Sequence, residues 1–324
     1  MNTASTTRTS PSGSGLCNQC LRPACNRAQA GVLELSHGLH VYLHGWDPQR
    51  LIPSVIILTF NSAASLPATL ESIKGLSDDI YIVDSGSTDD TVAIAKSFDA
   101  TVLNHPFENY GSQRNWSIAN NQARHGWQLH LDADERLTPE LHNEIKALPD
   151  NPEFFGYYLP RYLQFMGRIL RHGGMSPTWH MRLFRNGMGR CEARKYDQHF
   201  ICDGPSKQLR GSMIDDIRMP LTEWTARHNR WADAEVDELL HPEVTDRIAG
   251  KMTGNAVERK RFLRDIYNNA PYFVRPIGLF LYRYFIRLGF LDGMEGTIFW
   301  VLQTFWFRFL IDAKLYEARQ AAKH

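Results

Sequence analysis

Nowhere does the 324-residue chain offer the roughly 20 mostly apolar, uncharged residues that a membrane-spanning helix needs. Its two longest aromatic and apolar runs, PIGLFLYRYFIRLGFL (276–291) and TIFWVLQTFWFRFLI (297–311), are interrupted by Arg283, Arg287, Gln303 and Arg308. Excess charge is lacking as well. Lys and Arg number 36 and Asp and Glu 35, a net charge of +1 that argues against nucleic-acid binding through bulk electrostatics. Cysteine is scarce: five residues, an odd number, do not make a secreted disulfide framework and fit a reducing compartment. The opening MNTASTTRTSPSGSG has no apolar centre of a secretory signal and is expected to be unstructured. Cys17, Cys20 and Cys25 include a CxxC spacing, but no fourth ligand follows at zinc-finger distance, and only His37 and His40 are remote candidates. Both a metal site and a plain tail stay open there. No internal repeat is visible.

What is present is an ordinary globular composition, 43% hydrophobic and 22% charged, with room for one large domain and an appendage. From residue 51 β-rich runs alternate with helical spacing. SVIILTF (54–60), DIYIVDS (79–85), ATVLNH (100–105) and WQLHLDA (127–133) are expected strands. LPATLESIKGL (66–76) and TDDTVAIAKSF (88–98) are expected helices, the second with Ser87 as cap and Asp90 completing a capping box; a third begins near Gly111. Such alternation predicts an α/β fold with a mostly parallel sheet covered by helices on both faces, which binds ligands at the carboxyl ends of its strands.

Polar residues gather at those ends: Thr59 and Asn61, Asp84 and Ser85, Asp132 and Asp134. The run LHLDADERL (129–137) stops on three carboxylates, Asp132, Asp134 and Glu135. Like charges this close repel unless a cation or positive groups compensate them. Side chains two apart on an extended segment face the same way, so Asp132 and Asp134 can converge on a hard cation, Mg²⁺ or Mn²⁺, completed by substrate phosphates. A solvated turn in which an acid caps the helix starting near Thr138 is the alternative.

Four segments in order, SVIILTFNSAASLPATLESI, IYIVDSGSTDDTVAIAKSF, YGSQRNWSIANNQA and WQLHLDADERLTPEL, resemble family 2 glycosyltransferases with the GT-A nucleotide-diphospho-sugar transferase fold. The similarity is greatest to bacterial lipopolysaccharide-core glucosyltransferases and exopolysaccharide enzymes and spans roughly residues 52–240. It implies a Rossmann-like catalytic domain over 51–250, a largely disordered tail over 1–50, and C-terminal amphipathic helices over 251–324. By the same resemblance Thr59 and Asn61 hold base and ribose, Asp84 the base, and Arg114 and Asn115 the base and diphosphate. Asp132 and Asp134 are the DXD pair, Asp132 also touching the nucleotide sugar and Asp134 the more direct metal ligand; Ser62 replaces a Glu that is frequent in the family.

Sugar transfer from a nucleoside diphosphate needs charge offset on the departing diphosphate and a carboxylate that takes the acceptor's proton; one displacement inverts the anomeric centre. The resemblance places that base in RKYDQHFICDG (194–204), where Gln198 stands for a common Glu and cannot act as a base. Asp197 is the first candidate and Asp203 the second; Asp197 as a turn or ion-pair residue beside Arg194 and Lys195 is the alternative. In WHMRLFRN (179–186) strand alternation puts Arg182 and Arg185 on opposite faces, and Arg182, with His180 beside it, is the one expected in the cleft. Arg168 and Arg171 precede it on a loop that could meet an acceptor phosphate. The helix TEWTARHNRWADAEVDELL (222–240) places Trp224, His228 and Trp231 on one face. Its RHNRW is similar to the QxxRW of processive relatives with Arg227 in place of Gln, so Arg230 and Trp231 are expected to hold diphosphate or acceptor.

From Glu258 to His324 there are 11 Lys and Arg to 6 Asp and Glu, and Arg283 and Arg287 sit one turn apart among aromatic residues. This is the pattern of a helix lying in an anionic membrane surface; packing on the catalytic domain or a dimer interface is the other reading. The expected enzyme is peripheral on the cytoplasmic face of the inner membrane, with a nucleotide-sugar donor and a lipid-linked or glycan acceptor. A nucleotidyltransferase of similar fold would need a Gly-rich, Lys-containing loop that FNSAASLP lacks. A catalytically silent nucleotide-sugar or lipid-binding scaffold is kept open by Gln198.

Overall fold

The computed structural model describes residues 31–34, 40–43, 50–150, 153–192, 198–241 and 266–322. Cys17, Cys20, Cys25, His37 and Asp197 lie outside them, as does the boundary expected at residue 250. Within the segment expected to be unstructured, β1 (Gly31–Glu34) and β2 (His40–Leu43) form an antiparallel hairpin.

The parallel half of the main sheet is made by β3 (Pro53–Thr59), β4 (Ile80–Asp84), β5 (Thr101–Asn104) and β6 (Trp127–Asp132), ordered β5-β4-β3-β6. The continuous apolar run of β3 is explained by burial on both faces, with Val55, Ile56 and Ile57 all fully buried. Helices α1 (Leu66–Ser72), α2 (Thr91–Ser97) and α3 (Tyr110–Asn120) make the crossovers. Asn109 caps α3, its Oδ1 accepting from the Ser112 amide at 2.8 Å. The capping box expected for α2 does not form: Asp90 is the N-cap residue without a side-chain bond, and the Ser87 hydroxyl donates instead to Asp84 at 2.5 Å. Residue 87 is therefore taken by the strand-end loop.

Beyond β6 the sheet turns mixed. It continues β10 (Thr178–Arg185), β8 (Gly156–Phe165), β14 (Met213–Ile217) and β7 (Glu135–Leu137), with β9 (Arg168–Ile169) and β13 (Ser206–Gln208) also on β8. Between β7 and β8 runs α4 (Pro139–Ala147), which starts where expected but is capped by Thr138 rather than by an acid, the threonine hydroxyl accepting from the Leu141 amide at 3.3 Å. A separate hairpin pairs β11 (Gly189–Cys191) with β12 (Phe200–Cys202).

The long helix α5 (Leu221–Leu240) leads to the C-terminal helices. These are α6 (Val274–Leu281), running on as a π-turn to Ile286, then α7 (Gly293–Trp300) and α8 (Phe307–Ala321), joined by a second π-turn. They pack on the catalytic sheet through Phe165, Leu170, Trp224, Phe299 and Trp300, and on α5 through Ala232, Val236, Phe307, Ile311 and Leu315. A buried ion pair, Arg275 with Asp312, locks α6 to α8. Arg283 corrects the expectation of two arginines facing headgroups. Its Nη1 donates to the Gly173 carbonyl at 2.9 Å, whereas Arg287 is exposed.

Candidate active site

The strand ends meet where β6 passes into β7, and here the three carboxylates of the opening motif find their partners. Asp132 accepts from Arg114 Nη2 at 3.1 Å and from Arg182 Nη2 at 2.9 Å. Arg182 also reaches Glu135 at 2.5 Å, and the second Glu135 oxygen accepts from the Asp132 amide at 3.0 Å. Arg182 reaches inward because it is the extra residue of a β-bulge: Met181 pairs with Tyr158 and Leu183 already with Tyr157. Arg185, on the other face, is bound to Asp150 at 2.6 Å and lies over Trp127. Arg182 thus joins the carboxylates and Arg185 does not, but the bulge rather than plain alternation sets its direction.

Burial works against the Asp132 charge, but the guanidiniums of Arg182 and Arg114 overcome it and hold this carboxyl well below the usual range. Arg161, not singled out in the sequence, adds a third cation, 3.2 Å from Asp215 and 3.6 Å from Glu135. Asp215 was also missed; β14 sets it in register with Glu135 on β7. Burial foremost, helped by Glu135 and Asp132, pushes Asp215 up to about 6 against the pull of Arg161.

Asp134 differs from its neighbours. Its side chain is exposed, and the strongest charges acting on it, those of Asp215, Asp132 and Glu135, are negative. Enclosure by the surrounding protein, then those three charges, push its carboxyl well above the usual range. Among the described residues no three metal-ligating side chains converge to hold an ion by themselves. A hard cation taking one or two protein oxygens and the rest from substrate phosphate fits Asp134, because it would relieve that unmatched charge.

The nucleotide-side candidates are placed as follows. Asp84, 1% exposed, accepts from Thr59 Oγ1 at 2.8 Å, the amides of Gly86 and Ser87 at 3.0 and 2.8 Å, and the Ser87 hydroxyl. Burial pushes this carboxyl up, yet these bonds outweigh it and hold it low. Both oxygens are taken, so in this structure Asp84 and Thr59 shape the loop after β4. Asn61, in the left-handed region at φ 47°, ties its Oδ1 to the Thr88 amide at 2.8 Å. Asn115 also differs from the expectation. Its amide clamps the backbone of Cys191 in both directions, at 2.9 and 2.8 Å, fixing β11 beside α3. Gln113 was overlooked: it is buried and joins Ser85 to His105, whose ring stacks on Trp116.

On the acceptor side, His180 joins the arginine cluster as expected, and burial, then Arg161 and Arg182, pull its pKa down to about 2. Asp203 is exposed and paired with Arg190 at the end of β12; the Asp132 cluster does not include it. On α5, Trp224 and His228 are buried and stacked at 3.4 Å, while Trp231 is 46% exposed at the edge. Arg230 is exposed. The neighbouring Arg227 lies 4.8 Å over Trp231 and, with Arg114, acts on Tyr110, whose hydroxyl is raised by burial and by Asp132 and Asp134. Arg227 is thus half-buried against Trp231, one turn before the exposed Arg230.

In such a sheet ligands bind at the carboxyl ends of the parallel strands, and here Asp132 and Asp134 lie at the end of β6 beside arginines from α3, β8 and β10. The chain matches the family described as "Glycosyl transferase family 2" over residues 54–217. It belongs to that family and is a glycosyltransferase. It is 28% identical over 272 residues to an "uncharacterized glycosyltransferase" of Rickettsia prowazekii, covering 81% of this chain and 86% of the relative. It is 27% identical over 285 residues to the lipopolysaccharide core biosynthesis glycosyltransferase LpsC of Rhizobium meliloti, covering 85% and 95%. A solved structure, S. aureus TarS 1-349 in complex with UDP-GlcNAc, is similar at 12% identity with a TM-score of 0.39, covering 82% of this chain and 91% of that one.

Proposed function

We propose that this enzyme transfers a sugar from a UDP-sugar to a lipid-linked or lipopolysaccharide-type acceptor by a metal-dependent, inverting single displacement. The observation that carries it is Asp134: an exposed carboxylate just past the end of β6 whose strongest charged neighbours are other carboxylates, while Asp132 and Glu135 are met by arginines. The relation to LpsC supports the acceptor class, and the exposed apolar C-terminal helices support an anionic membrane as partner.

Asp134 would hold Mg²⁺ or Mn²⁺, which supplies charge neutralisation on the departing diphosphate. Arg114 and Arg182 keep Asp132 ionised and fixed beside it. Asp84 and Asn61 stiffen the loop on which the base and ribose lie, and Arg227 faces the diphosphate or acceptor with Trp231 beneath it. In the step itself the bond from the anomeric carbon to the diphosphate oxygen breaks and a bond to the acceptor oxygen forms. The acceptor's hydroxyl proton passes to a carboxylate of the chain. We assign that role to Asp197, with Asp215 as the second candidate because it lies at the cleft in surroundings that favour a proton. Asp203, engaged by Arg190, is third.

The test is release of nucleoside diphosphate from a panel of nucleotide sugars, with Mg²⁺ or Mn²⁺ and bacterial lipid extract, for wild type, Asp134→Ala, Asp197→Asn, Asp203→Asn and Asp215→Asn. Metal-dependent release from one donor, lost in Asp134→Ala and in one base variant, is the expected result. Donor binding without release under every condition would overturn it in favour of a silent scaffold.

A further inference from the structure

Helix α6 and the turn after it are built inside out. Their charged groups point inward: Arg275, 6% exposed, donates Nε to Asp312 at 2.8 Å and Nη1 to the Asn268 carbonyl at 2.9 Å, and Arg283 serves the Gly173 carbonyl. Their apolar groups point outward. Val274, Ile277, Leu281 and Phe285 recur at helical spacing and, with Tyr282 and Ile286, range from 46% to 71% exposed. The turn into α7 continues the patch with Leu288, Phe290, Leu291 and Met294, the last 70% exposed. Single apolar residues on a surface need no explanation, but a contiguous set of this size marks a surface that is covered in use.

The rim of the patch carries the opposite polarity. Arg168, Arg171 and Arg287 are exposed. Arg287 lies against Gly174, where a Cβ would meet its Nε at 2.9 Å, and Arg168 lies against Gly293, with Glu295 beside it. Exposed rings and aliphatic chains at a helical turn, flanked by arginines, match the layering of a lipid surface, acyl boundary below and anionic phosphates above. No described helix is long and apolar enough to cross a membrane, so the patch lies on the surface of one.

The turn is also held stiffly to the catalytic sheet. Buried Asp292 accepts from the amides of Arg171 and His172, each at 3.0 Å, and pairs with the His172 ring at 2.7 Å. The Gly173 amide donates to the Arg287 carbonyl at 2.8 Å. The 171–174 loop connects β9 to β10, whose residues His180 and Arg182 enter the active site. Docking of the turn therefore fixes the orientation of the cleft to the surface.

We propose that residues 285–294 form a wedge that inserts into the headgroup boundary of an anionic bilayer, with Arg168, Arg171 and Arg287 on the phosphates. This rests on the lipid-acceptor reading above for its purpose, while its test is independent of turnover. The full chain is sedimented with phosphatidylcholine vesicles, with and without phosphatidylglycerol, as wild type, Ile286→Asp, Phe285→Asp and the pair Arg168→Gln with Arg287→Gln. The wild type should prefer the anionic vesicles, each apolar variant should bind about tenfold more weakly or less, and the arginine pair should lose the preference for phosphatidylglycerol. Circular dichroism unchanged in all variants, and release of nucleoside diphosphate in detergent unchanged in Ile286→Asp and Phe285→Asp, show that the fold is kept. Equal sedimentation of Ile286→Asp and wild type overturns the wedge. So does light scattering showing a dimer that Ile286→Asp dissociates while neither protein binds vesicles, since the patch then covers a second copy. Vesicle binding lost by the apolar variants supports the wedge even if no donor is turned over, a result that would sink only the transferase mechanism.

Discussion

Replacing Arg182 with Met should destabilise the fold in a way that depends on pH. Arg182 is 3% exposed and its guanidinium is shared between Asp132 at 2.9 Å and Glu135 at 2.5 Å, the latter 1% exposed. Removing one partner of a buried ion pair costs about 3–5 kcal/mol, because a buried charge is left uncompensated. Met keeps most of the volume, so packing adds little. In the wild type the folded carboxyl of Asp132 is depressed. Its stabilising contribution is present above its unfolded value of about 4 and is lost only as pH falls through the lower folded value. Without Arg182 that depression shrinks, so the deficit is largest near neutral pH and narrows as acid neutralises the cluster. Urea unfolding followed by fluorescence of the eight tryptophans, at pH 8 and at pH 3, below the unfolded value, reads this directly. Adding Glu135→Gln to Arg182→Met should recover more than half of the loss at pH 8. A deficit below about 1 kcal/mol, or one equal at both pH values, would refute the reasoning, since it would mean the pair contributes no more than a surface salt bridge.

Asp134→Asn should act in the opposite sense on stability. The folded carboxyl of Asp134 is raised by its surroundings, so its ionisation weighs against the fold once pH passes the unfolded value. The metal-free variant should melt a few degrees higher than wild type at pH 8 and at the same temperature at pH 4, measured by calorimetry. A lower melting temperature at pH 8 would contradict the assignment of unmatched negative charge. Gly173→Ala should cost about 2–3 kcal/mol: φ is +73° and a Cβ would stand 2.1 Å from the Trp300 ring. Hydrogen exchange should locate the loss in 168–174 and 285–300; an unchanged melting temperature would show that the loop is not held by this contact.

The parallel half of the fold was legible because β3 and β4 carry short apolar runs that end on polar residues and alternate with helical spacing, as strands of a sheet buried on both faces do. Asp132, Asp134 and Arg182 were legible through strand spacing together with the family resemblance, although it is a bulge, invisible in sequence, that aims Arg182. Asp215 and Arg161 could not be found. They reach the site through pairing of β14 with β7 and β8, contacts between residues about 50 to 80 positions apart for which no local pattern exists. Asp84 and Asn115 show what motif resemblance leaves out: each also holds neighbouring backbone, Asp84 the amides of Gly86 and Ser87 and Asn115 the strand at Cys191. On α5, helical spacing identified the buried face of Trp224 and His228, while the half-buried position of Arg227 over Trp231 depends on packing that spacing does not show.

The charge arrangement of the site suggests an order of events. Four carboxylates, Asp132, Asp134, Glu135 and Asp215, are opposed by three arginines, Arg114, Arg161 and Arg182. The arginines bind Asp132, Glu135 and Asp215, which leaves the shortfall on the exposed carboxylate, Asp134. A diphosphate arriving alone would add negative charge beside Asp134 and be repelled; a cation arriving alone would gain one strong protein oxygen and too few others. Each makes the site acceptable to the other. The site is therefore expected to take up metal and nucleotide together, and calorimetric titration should find metal affinity raised at least tenfold by saturating nucleoside diphosphate, with the reciprocal enhancement equal in size. Metal affinity that is the same with and without nucleotide would mean that the protein supplies a complete coordination sphere, and that Asp134 is not where the missing charge resides.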